Sequence, residues 1–286
     1  YSLLMLDKQL VIVNDMEGLT KNTWDIMKLQ KNSVIGVRST GVQRAESNYY
    51  SVLTQKTDIK RQIRETENSL SLLLGQQVQS ISRGKLDEQS LPANFSTGIG
   101  VQLLNNRADV HSAEMKLAQC FYNIETARSR FYPALNINAS GAFTNNSGMG
   151  IVNPGNLLLT AVGSLTQPIF QNGKLVAGLK VAKAQYQQAY NTWQNSILTA
   201  GSEVSNALVL YNSSAEKSTI EAKQVEVLKQ NVEDTKDLMA SAGSTYLEVI
   251  TAQSSLLNVE LSKVTDDFYK MQAVVNLYYA LGGGAK

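Results

Sequence analysis

All four prolines of this 286-residue chain, Pro92, Pro133, Pro154 and Pro168, lie in its middle, so residues 1–91 and 169–286 lack the strongest helix breaker. Two arms of that kind permit very long helices. From Lys174 the apolar or small positions run Leu175, Leu179, Ala182, Tyr186, Ala189, Trp193, Ile197, Ala200, Val204, Ala207 and Tyr211, in alternating steps of four and three with one extra four. This is a coiled-coil-like stripe with a stutter. It can be followed to about Ala240, which predicts a helix roughly 100 Å long at the α-helical rise. Few compact globular domains have room for such an element.

A second stripe, from Val42 through Ala45, Tyr49, Val52, Ile59, Ile63 and Leu70 to Leu73, predicts a helix ending at Leu74-Gly75. A third runs from Ile250 through Leu257, Leu261, Val264, Phe268, Met271 and Val275 to Tyr278 and stops at Leu281-Gly282. Moving the first of these by 207 residues places Leu74-Gly75 on Leu281-Gly282, Ala45 on Ala252 and Val42 on Val249. The chain therefore reads as an internal repeat.

Between the helical blocks the period changes. Leu135, Ile137, Ala139 and Phe143 alternate with Asn136, Asn138 and Ser140, the pattern of a strand between two environments. Residues 145–156, rich in Asn, Gly and Ser, read as a loop, and 157–170 as a returning strand. A lone hairpin is barely stable in water and must pair with strands from elsewhere. If one face meets lipid, the backbone requires closure into a barrel, which two strands cannot make, so several chains must share it.

The domain reading follows. Residues 1–75 form the helical hairpin of the first repeat, 76–100 a linker and 101–286 the second repeat, with a helix at 101–130, a β-hairpin at 134–170, a long helix at 174–241 and a return helix at 245–281. By comparison of the copies, the first repeat is expected to have a hairpin of its own upstream of Tyr1. Four strands per complete chain give twelve in a trimer, an even number within the range that barrels use. The fold class is thus mainly α, with long antiparallel coiled-coil-like helices and one β-hairpin contributing to an oligomeric transmembrane β-barrel.

Composition narrows the function. With 26 basic and 24 acidic residues and no like-charge block, the chain offers no nucleic-acid surface. A single histidine, His111, and a single cysteine, Cys120, leave no multi-cysteine metal site, and no phosphate-binding glycine loop is present. Neither an enzyme nor a cofactor is expected. A purely structural coiled-coil assembly without channel activity would explain the stripes but leaves the hairpin without a reason.

Five segments in order carry a resemblance to a known family. They are Asn106-Arg-Ala-Asp-Val-His-Ser-Ala-Glu114, Phe131-Tyr-Pro-Ala-Leu135, Gln167-Pro-Ile-Phe-Gln-Asn-Gly-Lys174, Glu203-Val-Ser-Asn-Ala-Leu208 and Tyr246-Leu-Glu-Val-Ile-Thr-Ala-Gln253. In these the chain resembles the TolC-type outer-membrane efflux proteins that work with RND transporters, in particular the lipoprotein branch. The chain departs from the family pattern at Ala108, where proline is common, and at Gly201, where a larger residue is usual.

The resemblance implies an outer-membrane homotrimer with its helices in the periplasm. That trimer would be a passive conduit for drugs or other small molecules, touching outer-membrane lipid, a periplasmic adaptor (membrane fusion) protein and an inner-membrane RND transporter. It also implies site residues. Gly36, Ala242 and Gly243 fall at the helical tips that bind the adaptor, and Glu248 and Thr251 match acidic positions at the pore aperture, Thr251 being a departure. Asp237 fits a position whose contacts hold the aperture closed.

Overall fold

The computed structural model describes residues 1–33, 39–89, 107–143, 157–240 and 246–283. In chain order the elements are α1 (Ser2–Ser33), α2 (Ser39–Leu73), a 3₁₀ turn (Leu86–Glu88), α3 (Ala108–Ser129), β1 (Ala134–Phe143), β2 (Leu157–Thr166), α4 (Lys174–Ala240) and α5 (Tyr246–Ala280). Two compact units divide the chain: Tyr1–Ile99 with Ser202–Gly283, and Gly100–Gly201 with Gly284–Lys286. The helix α4 contributes residues 202–240 to the first and 174–201 to the second.

The first unit is a bundle of antiparallel helices. Its main core joins Leu3, Leu6, Val13 and Met16 of α1 to Val52, Ile59 and Ile63 of α2 and to Ala252, Leu256 and Leu257 of α5, with Val232 arriving from α4. Val52, Ile59, Ile63 and Leu257 are stripe positions, brought inward because burying them removes apolar surface from water, whereas the third stripe fails at its end, where Val275 and Tyr278 are exposed and Leu277 and Ala280 are buried instead. A shift of 207 residues carries the whole of α2 onto the whole of α5. Both copies also stop by the same device. Gly75 and Gly282 adopt positive φ (65° and 74°), the conformation a glycine takes without strain. The N–H groups of Gly75 and Gln76 donate to the carbonyls of Leu72 and Ser71, and those of Gly282 and Gly283 donate to Tyr279 and Tyr278. Each pair is a Schellman motif that satisfies otherwise orphaned carbonyls.

After α2 the chain runs back across the bundle as a strap. Leu86 is buried between Val264 and Met271 of α5 and packs against Leu4, Met5 and Ile12 of α1. Arg83 fixes the strap by donating to both carboxylate oxygens of Asp7 and, at 2.7 Å, to Glu67. The Glu67 side chain is only 4% exposed. Its hydrogen bond from Arg83 holds its carboxyl below the usual carboxylate range, against the effect of burial.

The second unit holds α3, the hairpin and the start of α4. Residues 101–106 of the helix expected at 101–130 lie outside the described residues, and α3 begins at Ala108 because Arg107 is an extended N-cap. Its guanidinium grips both oxygens of Asp109 at 3.0 and 2.7 Å, and the Asp109 carboxylate accepts the Val110 N–H. The returning strand ends at Thr166 rather than 170, since Pro168 has no N–H to offer a ladder. The turn into α4 then uses positive φ at Asn172 (47°) and Gly173 (76°).

Candidate functional site: hairpin and aperture

The strands β1 and β2 pair antiparallel from Ala134↔Thr166 to Phe143↔Leu157. That register sorts the side chains. Leu135 faces Leu165, Ile137 faces Gly163 and Ala139 faces Ala161 on one surface, whereas Asn136 faces Ser164, Asn138 faces the exposed Val162 and Ser140 faces Thr160 on the other, which is mainly polar. On the polar surface Asn136 donates diagonally to Thr166 at 3.3 Å. On the apolar surface Leu135, Ile137 and Leu165 are 66%, 72% and 71% exposed. A two-stranded sheet with its oily face bare and both edges unpaired is incomplete on its own. No described helix is long and apolar enough to cross a membrane.

At the other candidate site, Glu248 lies in the first turn of α5 and Thr251 one turn later, both exposed on one face. Ser255, Asn258 and Ser262 follow in steps of four and three: Ser255 is half-buried, Asn258 borders a cavity against α1 and α2, and Ser262 bonds to Glu221 of α4. Thr251 spends its hydroxyl proton on the Leu247 carbonyl at 2.8 Å, leaving only lone pairs to face outward. Asp237 is exposed near the end of α4. The two helices meet nearby, where Met239 of α4 packs with Tyr246 and Ile250 of α5 against Met27, Val42 and Ala45. Gly36, Ala242 and Gly243 lie outside the described residues.

Several residues around this end were not anticipated from the sequence. Gln253 is wholly buried and its amide nitrogen donates to Thr23 at 2.9 Å, while Ser254 donates to Asn48 at 3.3 Å. These bonds tie α5 to α1 and α2 through a polar layer beside a cavity of about 190 Å³ lined by Thr20, Asn48, Gln55 and Asn258. Trp24 stacks on Tyr49 at 5.5 Å and carries the Lys28 ammonium 3.1 Å above its ring. Among the described residues no group of three or more His, Cys, Asp and Glu is placed to hold a metal ion.

The chain thus combines a β-hairpin that has a bare apolar surface with long antiparallel helices. The sequence profile of the "Outer membrane efflux protein" family matches residues 99–283, and the chain belongs to that family, a family of transport channels located in the outer membrane with a periplasmic helical part. The chain is 27% identical over 268 residues to the solvent efflux pump outer membrane protein SrpC of Pseudomonas putida, covering 93% of this chain and 57% of that one. It is 29% identical over 238 residues to the cation efflux system protein CusC of Escherichia coli strain K12, covering 80% and 51%. The chain thus spans little more than half the length of these curated relatives. Among solved structures it matches a membrane protein from Pseudomonas aeruginosa with a TM-score of 0.90 at 23% identity, covering 99% of this chain and 64% of that one. The match to the crystal structure of CusC has a TM-score of 0.84 at 23% identity and covers 99% and 66%. These structural matches bear on the fold.

Proposed function

We propose that the complete protein is the outer-membrane channel of a tripartite efflux pump, a passive homotrimeric conduit that carries drugs or other small molecules from periplasm to exterior without catalysis or cofactor. The observation that carries this reading is the hairpin, whose register puts a bare apolar surface on one side and a mainly polar one, with amides and hydroxyls beside Val162, on the other. Lipid against the first and water against the second give both surfaces a solvent, provided that neighbouring chains complete the ladder. In this reading Glu248, Thr251 and Asp237 stand at the periplasmic aperture. The tips at Gly36, Ala242 and Gly243 receive the hairpin of a periplasmic adaptor that links the channel to an inner-membrane RND transporter.

Three converging Glu248 carboxylates would draw cations into the aperture. The test is conductance of the complete protein in planar bilayers, with its migration as a heat-modifiable trimer as the companion measurement. Glu248→Gln is expected to lower cation selectivity while leaving the trimer intact. A soluble filament without conductance would overturn the channel reading, and unchanged selectivity would remove Glu248 from the aperture.

A further inference from the structure

We propose that Gly41 is the positioning residue of the aperture: its bare Cα seats the Tyr246 ring and thereby sets the first turn of α5, where Glu248 sits. The proposal rests on the aperture reading above. Glycine inside a helix is a net cost relative to alanine, so a helical glycine with ordinary backbone angles needs a reason in its surroundings. Gly41 is buried in the first turn of α2, and positive φ is not that reason. A Cβ on Gly41 would stand 2.9 Å from the Met27 Cε and 3.1 Å from both Cδ1 and Cε1 of Tyr246. By contrast, Gly18, Gly178 and Gly201, also within helices, have nothing within 4 Å of the same added atom.

The two neighbours respond differently to crowding. Met27 presents the end of a flexible chain and can swing aside. The Tyr246 ring is rigid, belongs to the first residue of α5 and packs, as do Trp24, Met239 and Ile250, against the cluster of Met27, Val42 and Ala45. A methyl group at position 41 therefore acts on the ring, and the ring acts on the backbone two residues before Glu248. Three helices, α1, α2 and α5, meet at this one contact, which makes the absence of a side chain there a setting for how closely the two helical hairpins approach.

The experiment uses the complete protein in planar bilayers. Gly41→Ala is expected to shift the open-to-closed ratio by roughly tenfold, since overpacking by one methylene disfavours the close-packed state by about that factor. It shows as higher conductance with weaker cation preference in channels that still run as trimers, a split that loss of folded protein does not produce. Gly18→Ala, made where a methyl group meets nothing, keeps the parental values. Should Gly41→Ala fail to assemble, Tyr246→Trp crowds the same contact from the α5 side and is expected to shift conductance in the same direction. Parental conductance and selectivity in an assembled Gly41→Ala or Tyr246→Trp channel overturns the proposal. Glu248→Gln measured alongside separates the two claims: if it changes selectivity and the crowding variants change nothing, the aperture stands and the role of Gly41 falls.

Discussion

The two sides of α5 are held by different chemistry. Toward α1 and α2 it presents Ala252, Leu256 and Leu257, packed against Met16, Val52 and their neighbours in a continuous apolar core. Toward the middle of α4 it meets Ser214, 2% exposed, then Ser218 and Glu221, where apolar residues would continue the stripe. There Ser218 donates to Asp267 at 2.7 Å, Ser262 donates to Glu221 at 2.6 Å, and Lys229 pairs with Glu260 at 3.1 Å. Apolar packing is nondirectional, whereas polar links across a helix pair exchange readily for water. Apolar packing resumes on either side of this polar stretch, through Val204 and Ala207 with Leu277 and Ala280 and through Val232 in the main core, so adjustment of α4 against α5 is confined to the middle of the contact. Local stability is uneven as a result, and the polar middle of the α4 contact is the part expected to open first.

Three perturbations test that contrast, each read by local hydrogen exchange on the complete protein. The largest effect is expected from Met16→Ala, which empties the centre of the apolar core and lowers protection in α1 and α5 by about 3 kcal/mol. If truncating Met16 costs no more than Ser218→Ala, the contrast is wrong. Acid comes next. Although its burial favours the neutral form, hydrogen bonds from Lys263 and Ser218 hold the Asp267 carboxyl below the ordinary value. A depressed folded pKa means that the contribution is complete above about pH 4 and is lost as pH falls through the folded value. Acidification below that point should therefore cost the α4–α5 contact roughly 1 kcal/mol and loosen the strap at Glu67 by the same logic, with the Met16 core unchanged. Raising salt from low to molar concentration should give the smallest effect, a few tenths of a kcal/mol, confined to exposed pairs such as Lys229 with Glu260. Equal loss on both sides of α5 would count against the distinction.

Much of this architecture was legible before any coordinates. The three-four spacing from Leu175 to Tyr211 marks the least exposed face of α4, and the strict alternation from Leu135 to Phe143 marks β1, because each periodicity is a direct projection of backbone geometry. The polar interruption at Ser214, Ser218 and Glu221 escaped notice because a search for apolar stripes has no means of seeing a buried serine. Arg83 and its partner Asp7 are 76 residues apart, and no local pattern announces such a bond. Gly41 carries no local signal, since the ring that lies against its bare Cα belongs to α5. For the aperture, the sequence supplied Glu248 and Thr251 by resemblance, and the structure adds that they share an exposed face of one helix.

The shift that superposes α2 on α5 also sets Gly41 against Glu248, so one position in the repeat carries a hydrogen in one copy and a carboxylate in the other. In the proposed trimer this gives a ring of six quasi-equivalent helix starts in which charge and bareness alternate. The backbone approximates sixfold symmetry while the electrostatic pattern is strictly threefold. If both proposals hold, the position serves fit in one copy of the repeat and charge in the other, and a permeating ion meets only the second.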